Sequence, residues 1–306
     1  MKLIKKTLVI FLLPAIMAGM SYPAKAGSTK QAREVHLEGL FNQTMHALYD
    51  FDFQRADAIS TGMLQLDSTH YISHFARASY LWWMIITHPL NQHLEQQYAA
   101  TIARAQDGLP QGEDQPQLNV VFYHISIYAM EAQMSLRQKE YLRIMKNLRA
   151  CTWQVKYSMG KERQHQGFML TSGLYNYMTG YAQVRFPVLS VFKNIFPEGD
   201  MQLGLDQLQL AALSDNLTWK TEARFLLMKI YLEMEKQPLK ALDWVNWLIE
   251  TYPRNLTYRY YHYMILKAMK DPGGMARVKN TIKKLALTHQ GLSQDQREYF
   301  LQLAAD

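Results

Sequence analysis

The sequence has almost no cysteine and almost no sign of β-strands. Cys151 is the sole cysteine in 306 residues, which excludes an internal disulfide framework. It lies in the apolar phase of a helical pattern with Leu148 and Val155, so we interpret it as a small buried hydrophobe rather than a reactive thiol. Period-2 alternation is nearly absent, and the breaks are short clusters of Gly, Pro, Asn and Asp. The chain is therefore expected to be all-α.

The sequence also lacks the local motifs of common enzyme and metal sites. It contains no Gly-rich phosphate loop, no nucleophile elbow and no His-Glu-x-x-His run. His70 and His74 share a helix face, but a metal site needs further ligands, and a solvated helix start is the favoured interpretation. The Pro-Gly-Gly run at 272–274 follows Asp271, which favours a helix cap over an anion site. We expect no catalytic residues, no cofactor and no metal.

Residues 1–26 have the pattern of a secretory signal peptide. Three lysines near the start precede an apolar stretch, Leu8 to Met20, and Ala24-Lys25-Ala26 is a small-x-small cleavage site. The apolar stretch is short for a membrane span and contains Pro14, so an uncleaved anchor is the less favoured alternative. We expect an exported protein, periplasmic or secreted, with no stable membrane span after cleavage.

Charge and composition bound the class of partner. The formal net charge of +7 falls to +3 without the four lysines of residues 1–26. A nearly neutral chain gives no reason to expect a nucleic-acid partner or binding to an anionic membrane. The composition is 48% hydrophobic, which allows a sizeable apolar core without disulfides.

Residues 27–306 have the pattern of consecutive amphipathic helices in one helical repeat domain. Each helix has an apolar face that it cannot bury alone, and pairing and stacking would cover it. The spacing predicts about six antiparallel pairs and a C-terminal capping helix over 294–305, which begins with a capping box at Ser293 to Gln296. The predicted pairs are 33–49 with 53–67, 70–87 with 91–107, 116–136 with 138–158, 162–182 with 200–214, 219–236 with 238–251, and 255–270 with 272–287.

The later pairs carry a visible repeat. Ala241 and Ala276 lie 35 residues apart at the same phase of a second helix. With Tyr252-Pro253-Arg254-Asn255 after Ala241, the segment 222–255 resembles a tetratricopeptide repeat (TPR), whose second-helix Ala is followed at this interval by a closing Pro. The stretch from Gly173 to Leu205 is similar to exported bacterial TPR-like proteins. The resemblance implies a right-handed superhelical solenoid of antiparallel helix pairs with degenerate repeats.

Polar aromatic residues supply the candidate binding site. Four tyrosines, at 258, 260, 261 and 263, crowd two turns of one helix, and one buried stripe cannot hold them all. Tyrosine beside arginine makes a good binding surface, whereas packing between neighbouring helices is the alternative. We predict that the partner-binding residues are Tyr175, Asn176, Tyr258, Arg259 and His262.

These features favour an exported helical-repeat scaffold that binds a protein or peptide partner in the cell envelope, with no catalysis of its own. Two alternatives stay open. One is an envelope-polymer hydrolase built on a helical solenoid, because a fold alone does not exclude an active site. The other is a self-assembling structural component, since the early helices are rich in methionine and aromatic residues.

Overall fold

The computed structural model describes residues 29–88, 91–110, 117–185 and 198–305. Within these ranges the chain is all-helical and contains no strand, which confirms the predicted fold class. Three predicted features lie outside the described residues. They are the signal peptide, Pro116 and most of the loop that joins the two helices of the fourth predicted pair. Among the described helices, none has both the length and the apolar character that crossing a bilayer requires.

The observed helices follow the predicted ones closely. The first seven are α1 (Thr29–Tyr49), α2 (Phe53–Leu66), α3 (Tyr71–Thr87), α4 (Gln92–Asp107), α5 (Leu118–Arg137), α6 (Tyr141–Ala150) and α7 (Thr152–Ser158). The rest are α8 (Gly167–Arg185), α9 (Met201–Ala211), α10 (Leu217–Lys229), a π-helical segment (Ile230–Met234), α11 (Pro238–Thr251), α12 (Leu256–Met269), α13 (Pro272–Thr288) and α14 (Gln294–Ala305).

One predicted helix is divided. The sequence predicts a single helix over 138–158, whereas the structure has α6 and α7 with Cys151 between them at φ −103° and ψ 6°. The side chain of Cys151 is buried, and this burial raises the pKa of its thiol to about 12. A thiol with such a pKa is a poor nucleophile at neutral pH, and the predicted buried cysteine is confirmed.

The described chain falls into two compact units. The middle unit comprises the described residues between Gln106 and Leu226, and the terminal unit comprises those up to Ala105 and from Leu227 onward. The terminal unit therefore joins the first four helices to the last four, although most of the chain separates them in sequence.

Asn255 connects the two halves of the terminal unit. Its Oδ1 accepts a hydrogen bond of 3.0 Å from the backbone N–H of Tyr258 and so caps α12. Its Nδ2 donates a 2.8 Å hydrogen bond to the carbonyl of Tyr49, the last residue of α1. Asp50 and Arg254, the adjacent residues on the two segments, form an ion pair. We call the Asn255 bonds to Tyr258 and Tyr49 the Asn255 clasp.

A second connection joins α14 to α3. Ser293 Oγ accepts from the backbone N–H of Gln296 at 3.2 Å, and Gln296 Oε1 accepts from the backbone N–H of Ser293 at 3.0 Å. The predicted capping box is thus confirmed. The Nε2 of Gln296 also donates to Thr87 Oγ1 at 2.9 Å in a buried position, so the cap of the last helix reaches the end of the third.

Trp83 is the centre of an aromatic cluster between these halves. Its ring centroid lies 6.2 Å from that of Tyr49, 6.0 Å from that of Phe51 and 6.3 Å from that of Tyr258, each pair in an edge-to-face arrangement. Such pairs add to the free energy gained from burial. Trp82 and Trp83 are both fully buried core residues. In a solenoid, each helix pair contacts only the neighbouring pairs. Contacts between the early and the late helices were therefore not expected.

We expect replacement of Asn255 to separate its two roles. Asn255→Ala removes both the cap and the bond to Tyr49, leaving a buried carbonyl without its donor. We expect this to lower the free energy of unfolding by about 2–4 kcal/mol. Asn255→Ser keeps a capping oxygen but is too short to reach Tyr49, so it should recover about 1 kcal/mol of that loss. Urea denaturation followed by circular dichroism measures both values, and equal stability of the alanine variant and the parent would contradict the clasp.

Candidate functional site

The middle unit contains a helix pair, α8 and α9, whose backbones pack directly against each other. A Cβ atom added at Gly204 would lie 2.7 Å from the carbonyl oxygen of Gly173 and 2.8 Å from the Cβ of Tyr177. A Cβ added at Gly180 would lie 3.0 Å from the backbone nitrogen of Met201. Real Cβ contacts are longer than these, so the close approach of the two helices requires glycine at both positions.

A buried chain of hydrogen bonds fixes the register of the same pair. Asn176 Nδ2 on α8 donates to Gln207 Oε1 on α9 at 2.8 Å, and Gln207 Nε2 donates to Glu162 Oε1 at 3.2 Å. Asn176 and Gln207 are both buried. Buried amides of this kind are costly unless paired, so these bonds favour a single orientation of α9 against α8.

Gly204→Ala tests the close packing of α8 on α9. We expect the added methyl to force the two backbones apart and to destabilise the middle unit by about 2–4 kcal/mol, since backbone atoms cannot move aside as side chains do. The matched control is Gly62→Ala on α2, where no atom lies within 4 Å of the added Cβ. That change should stabilise its helix by about 0.5–1 kcal/mol through helix propensity. Thermal unfolding of both variants measures the difference, and similar effects at the two positions would contradict the account.

The orientation of α9 leaves an apolar face outward. Its inner face, which includes Gly204 and Gln207, is buried, and exposed leucines lie along one flank of that face, in the following turn and at the first residue of α10. These are Leu203, Leu210, Leu213 and Leu217, which we call the leucine face. Leu210 is 55% exposed and Leu213 is 70% exposed. Surface helices usually place polar residues on the outer face, so this leucine face is unusual.

The described residues expose large apolar side chains unevenly. Eleven such side chains are exposed, and seven of them belong to the middle unit, which is the smaller of the two. Four of the seven make up the leucine face. Single exposed apolar residues are normal, but a group of them in one region marks an interaction surface. The middle unit is therefore the better candidate for partner contact.

The structure distributes the five sequence-predicted site residues over both units. Tyr175 and Asn176 lie on α8 of the middle unit, and Asn176 is the buried residue that bonds to Gln207. Tyr175 is half-buried, and burial raises the pKa of its phenol to about 12. The other three residues lie on α12 of the terminal unit. The structure does not bring the five residues together within one unit.

Tyr258 is 0% exposed and packs against Trp83 and Tyr252. This position corresponds to the packing alternative rather than to a groove. Arg259 and His262, in contrast, are half-buried. Among the described residues, the Nε of Arg259 and the Nδ1 of His262 have no hydrogen-bond partner. Burial lowers the pKa of His262, and the adjacent Arg259 lowers it further, so its imidazole is neutral at pH 7.

The histidine pair at the start of α3 has local backbone partners. His70 Nδ1 accepts a hydrogen bond of 3.3 Å from the backbone N–H of Ile72 and caps the helix. His74 Nε2 donates to the carbonyl of Ser68 at 2.8 Å. In the part of the chain that the structure describes, no three His, Cys, Asp or Glu side chains converge as metal ligands. At the start of α13, Asp271 Oδ1 accepts from the Gly274 N–H at 2.9 Å, which confirms the predicted cap.

Lys229 is a chemically distinctive residue that the sequence argument missed. It lies buried at the end of α10, where the π-helical segment begins, and its Nζ is 3.7 Å from Glu233 Oε1. The same Nζ lies 5.4 Å from the ring centroid of Tyr261. Burial lowers the pKa of Lys229 to about 7, although the charge of Glu233 acts in the opposite direction. A lone cation within the apolar run from Phe225 to Tyr231 is the sequence signal that marks this position.

Lys229 makes the stability of the protein depend on pH. The unfolded chain holds this proton up to the ordinary pKa of 10.5, whereas the folded chain releases it near 7. The unfolded state therefore binds more protons between these values, and stability rises with pH across that window. We expect the unfolding free energy of the parent to rise, relative to Lys229→Met, by up to about 1.4 kcal/mol per pH unit between about pH 7 and 9. Urea titrations of both proteins measure this slope, and parallel pH profiles would exclude it.

Comparison with known proteins gives no matching protein family, no matching curated sequence and no matching solved structure. The functional conclusion therefore rests on the residues and geometry of this chain, and the TPR resemblance stays a prediction.

Proposed function

We propose that the protein is an exported helical-repeat scaffold that binds a protein or peptide partner in the cell envelope. The leucine face of the middle unit carries this proposal. Leu203 and Leu210 stand exposed on α9, whose packed face is fixed by backbone contact and by buried amides, and Leu213 and Leu217 follow in the turn and at the start of α10. A surface that is both apolar and held in one conformation loses little conformational entropy when a partner covers it.

The energetics favour a protein or peptide as the occupant. Covering a leucine side chain fully yields about 1.5–3 kcal/mol, so a partner that buries several of them offsets much of the free-energy cost of association. The polar neighbours Gln202 and Asp206 bond to each other at 2.8 Å and border the face. An apolar centre with a polar border is the usual anatomy of a protein interface.

The proposed location and architecture come from the sequence. The basic start, short apolar stretch and small-x-small site of residues 1–26 indicate export. Many helices contact their neighbours in sequence, which is compatible with degenerate TPR-like units stacked in a right-handed solenoid. Arg259 and His262 form a second, smaller candidate contact, because each side chain is half-buried and has a buried nitrogen without a hydrogen-bond partner among the described residues.

The proposal is tested by site-specific photo-crosslinking in the producing cell. A photoreactive residue is placed at Leu210 or Leu213 of the leucine face, at His262, or at the control positions Leu239 and Leu287. The two controls are also exposed leucines, but they belong to the terminal unit. We expect a discrete adduct with another protein from the leucine face and none from the controls. With the photoreactive residue moved to Leu203 of the same face, Leu210→Asp combined with Leu213→Asp should abolish the adduct without lowering the thermal stability, since both substituted side chains are exposed.

Other outcomes point elsewhere. An adduct with a second copy of the chain would favour the self-assembling structural component. An adduct from His262 alone would move the binding surface to α12. Equal labelling from the control leucines, or no adduct from any position, would contradict a partner-binding role for the leucine face.

A further inference from the structure

A second surface of the middle unit differs from the leucine face because it is strongly basic. Successive exposed residues along α6 and α7 are spaced by four, three, four and three positions, which places them on one helical face. They are Leu142, Lys146, Arg149, Trp153 and Lys156, and we call them the basic strip. At about 1.5 Å per residue the strip is roughly 21 Å long.

The strip is continuous despite the break at Cys151. The Cys151 N–H donates to the Asn147 carbonyl at 3.3 Å, and the Val155 N–H donates to the Cys151 carbonyl at 3.0 Å, so two bonds of helical spacing connect α6 and α7 at the break. The side chains of Asn147, Cys151 and Val155 are buried. Because the buried side chains occupy the opposite face, the strip points away from the interior of its unit.

The cations of the strip are not neutralised by the part of the protein that the structure describes. No described carboxylate forms an ion pair with Lys146, Arg149 or Lys156, and α6 and α7 contain no acidic residue. The nearby Arg143 is a useful contrast, because it pairs with Glu131 at 2.9 Å and with Glu140 at 3.2 Å. The small net charge of residues 27–306, +3, therefore conceals a locally uncompensated group of cations.

The apolar members of the strip project into solvent. Leu142 is 89% exposed and Trp153 is 51% exposed. The indole of Trp153 stacks on the ring of Tyr157, with centroids 5.0 Å apart and planes within 20°. This contact holds the tryptophan in position beside Arg149 and Lys156 instead of leaving it free to fold back onto the protein.

We propose that the basic strip binds the surface of a membrane that contains anionic phospholipids. Lysine and arginine beside tryptophan and leucine suit the boundary between phosphate groups and hydrocarbon. A bilayer presents phosphate groups and hydrocarbon at every point along the strip. The basic and apolar side chains can therefore alternate in any order and still each meet a suitable environment. An acidic protein would have to place carboxylates and apolar pockets in the same alternation. This binding goes beyond the proposed partner binding and does not depend on the leucine face.

The test is co-sedimentation with vesicles. The protein used begins at Gly27, so that the apolar stretch of residues 1–26 cannot anchor it, and it keeps every residue that the structure describes. The vesicles are phosphatidylcholine alone or phosphatidylcholine with about one quarter phosphatidylglycerol, which supplies a negative surface potential. We expect binding only to the anionic vesicles and weaker binding at higher salt.

Variants locate the binding surface. Lys146→Glu with Arg149→Glu should weaken binding to anionic vesicles by at least about tenfold, since each cation near such a surface contributes roughly fivefold. Trp153→Ala should weaken vesicle binding by several-fold, and the binding that is left should depend more strongly on salt. The matched control, Lys283→Glu with Lys284→Glu on α13, changes the charge equally at two exposed residues of the terminal unit. Circular dichroism should show all variants folded, because each substituted side chain is exposed.

Three results would overturn the proposal. One is an absence of parental binding to the anionic vesicles at low salt. Another is an equal loss in the α13 control, which would assign binding to net charge rather than to the strip. The last is a protein that does not bind vesicles but binds soluble poly-glutamate, with this second binding lost on substitution of Lys146 and Arg149. That result would indicate that the strip binds an acidic protein.

Discussion

The terminal unit depends on contacts between segments that are far apart in sequence, and the Asn255 clasp is the most specific of them. One buried amide satisfies the first turn of α12 and the last carbonyl of α1 at the same time. The aromatic cluster around Trp83 supplies apolar free energy at the same junction, but rings alone tolerate small shifts. The clasp adds direction, because a buried amide must meet its partners at fixed distances and angles. Packing therefore holds the early and late helices together, and the hydrogen bonds determine their register.

A different constraint governs the middle unit. There glycines occupy the contact positions, so that the backbones of α8 and α9 pack directly against each other. Close contact fixes which residues of α9 face inward, and by exclusion it fixes which leucines face outward. The same unit carries the basic strip on α6 and α7, where buried positions opposite the strip determine its direction. In both surfaces, the buried residues of the same helices determine where the exposed residues lie. The exposed residues are therefore grouped on a face instead of being scattered.

Much of the secondary structure could be predicted from the sequence. Amphipathic spacing located the helices within a few residues, and short-range side-chain chemistry located the capping box at Ser293 and the cap at Asp271, because these features depend on neighbours in the chain. The contact between the cap of α12 and the end of α1 could not be predicted, since local sequence does not specify which distant segment a capping residue also reaches. The same limit explains the site residues. Tyr258 and Asn176 were chosen for their polar aromatic or amide character, and both are buried in helix packing. Composition does not distinguish a tyrosine in a core from one on a surface.

Lys229 was overlooked although it interrupts an apolar run, because the sequence does not show how deeply a lysine is buried.

The discontinuous terminal unit has a consequence for the order in which the molecule can be completed. Its first four helices are synthesised early, and their partners α11 to α14 come last, with the entire middle unit between them. Until the last helices are present, the rings of Tyr49, Phe51 and Trp83 lack their contacts to the late aromatic residues, which are Tyr252, Tyr258, His289 and Phe300. Closure over such a separation is entropically costly and slow compared with the local pairing of α8 and α9. A chain that has not yet brought its two ends together can therefore form the local α8–α9 pair but cannot complete the terminal unit.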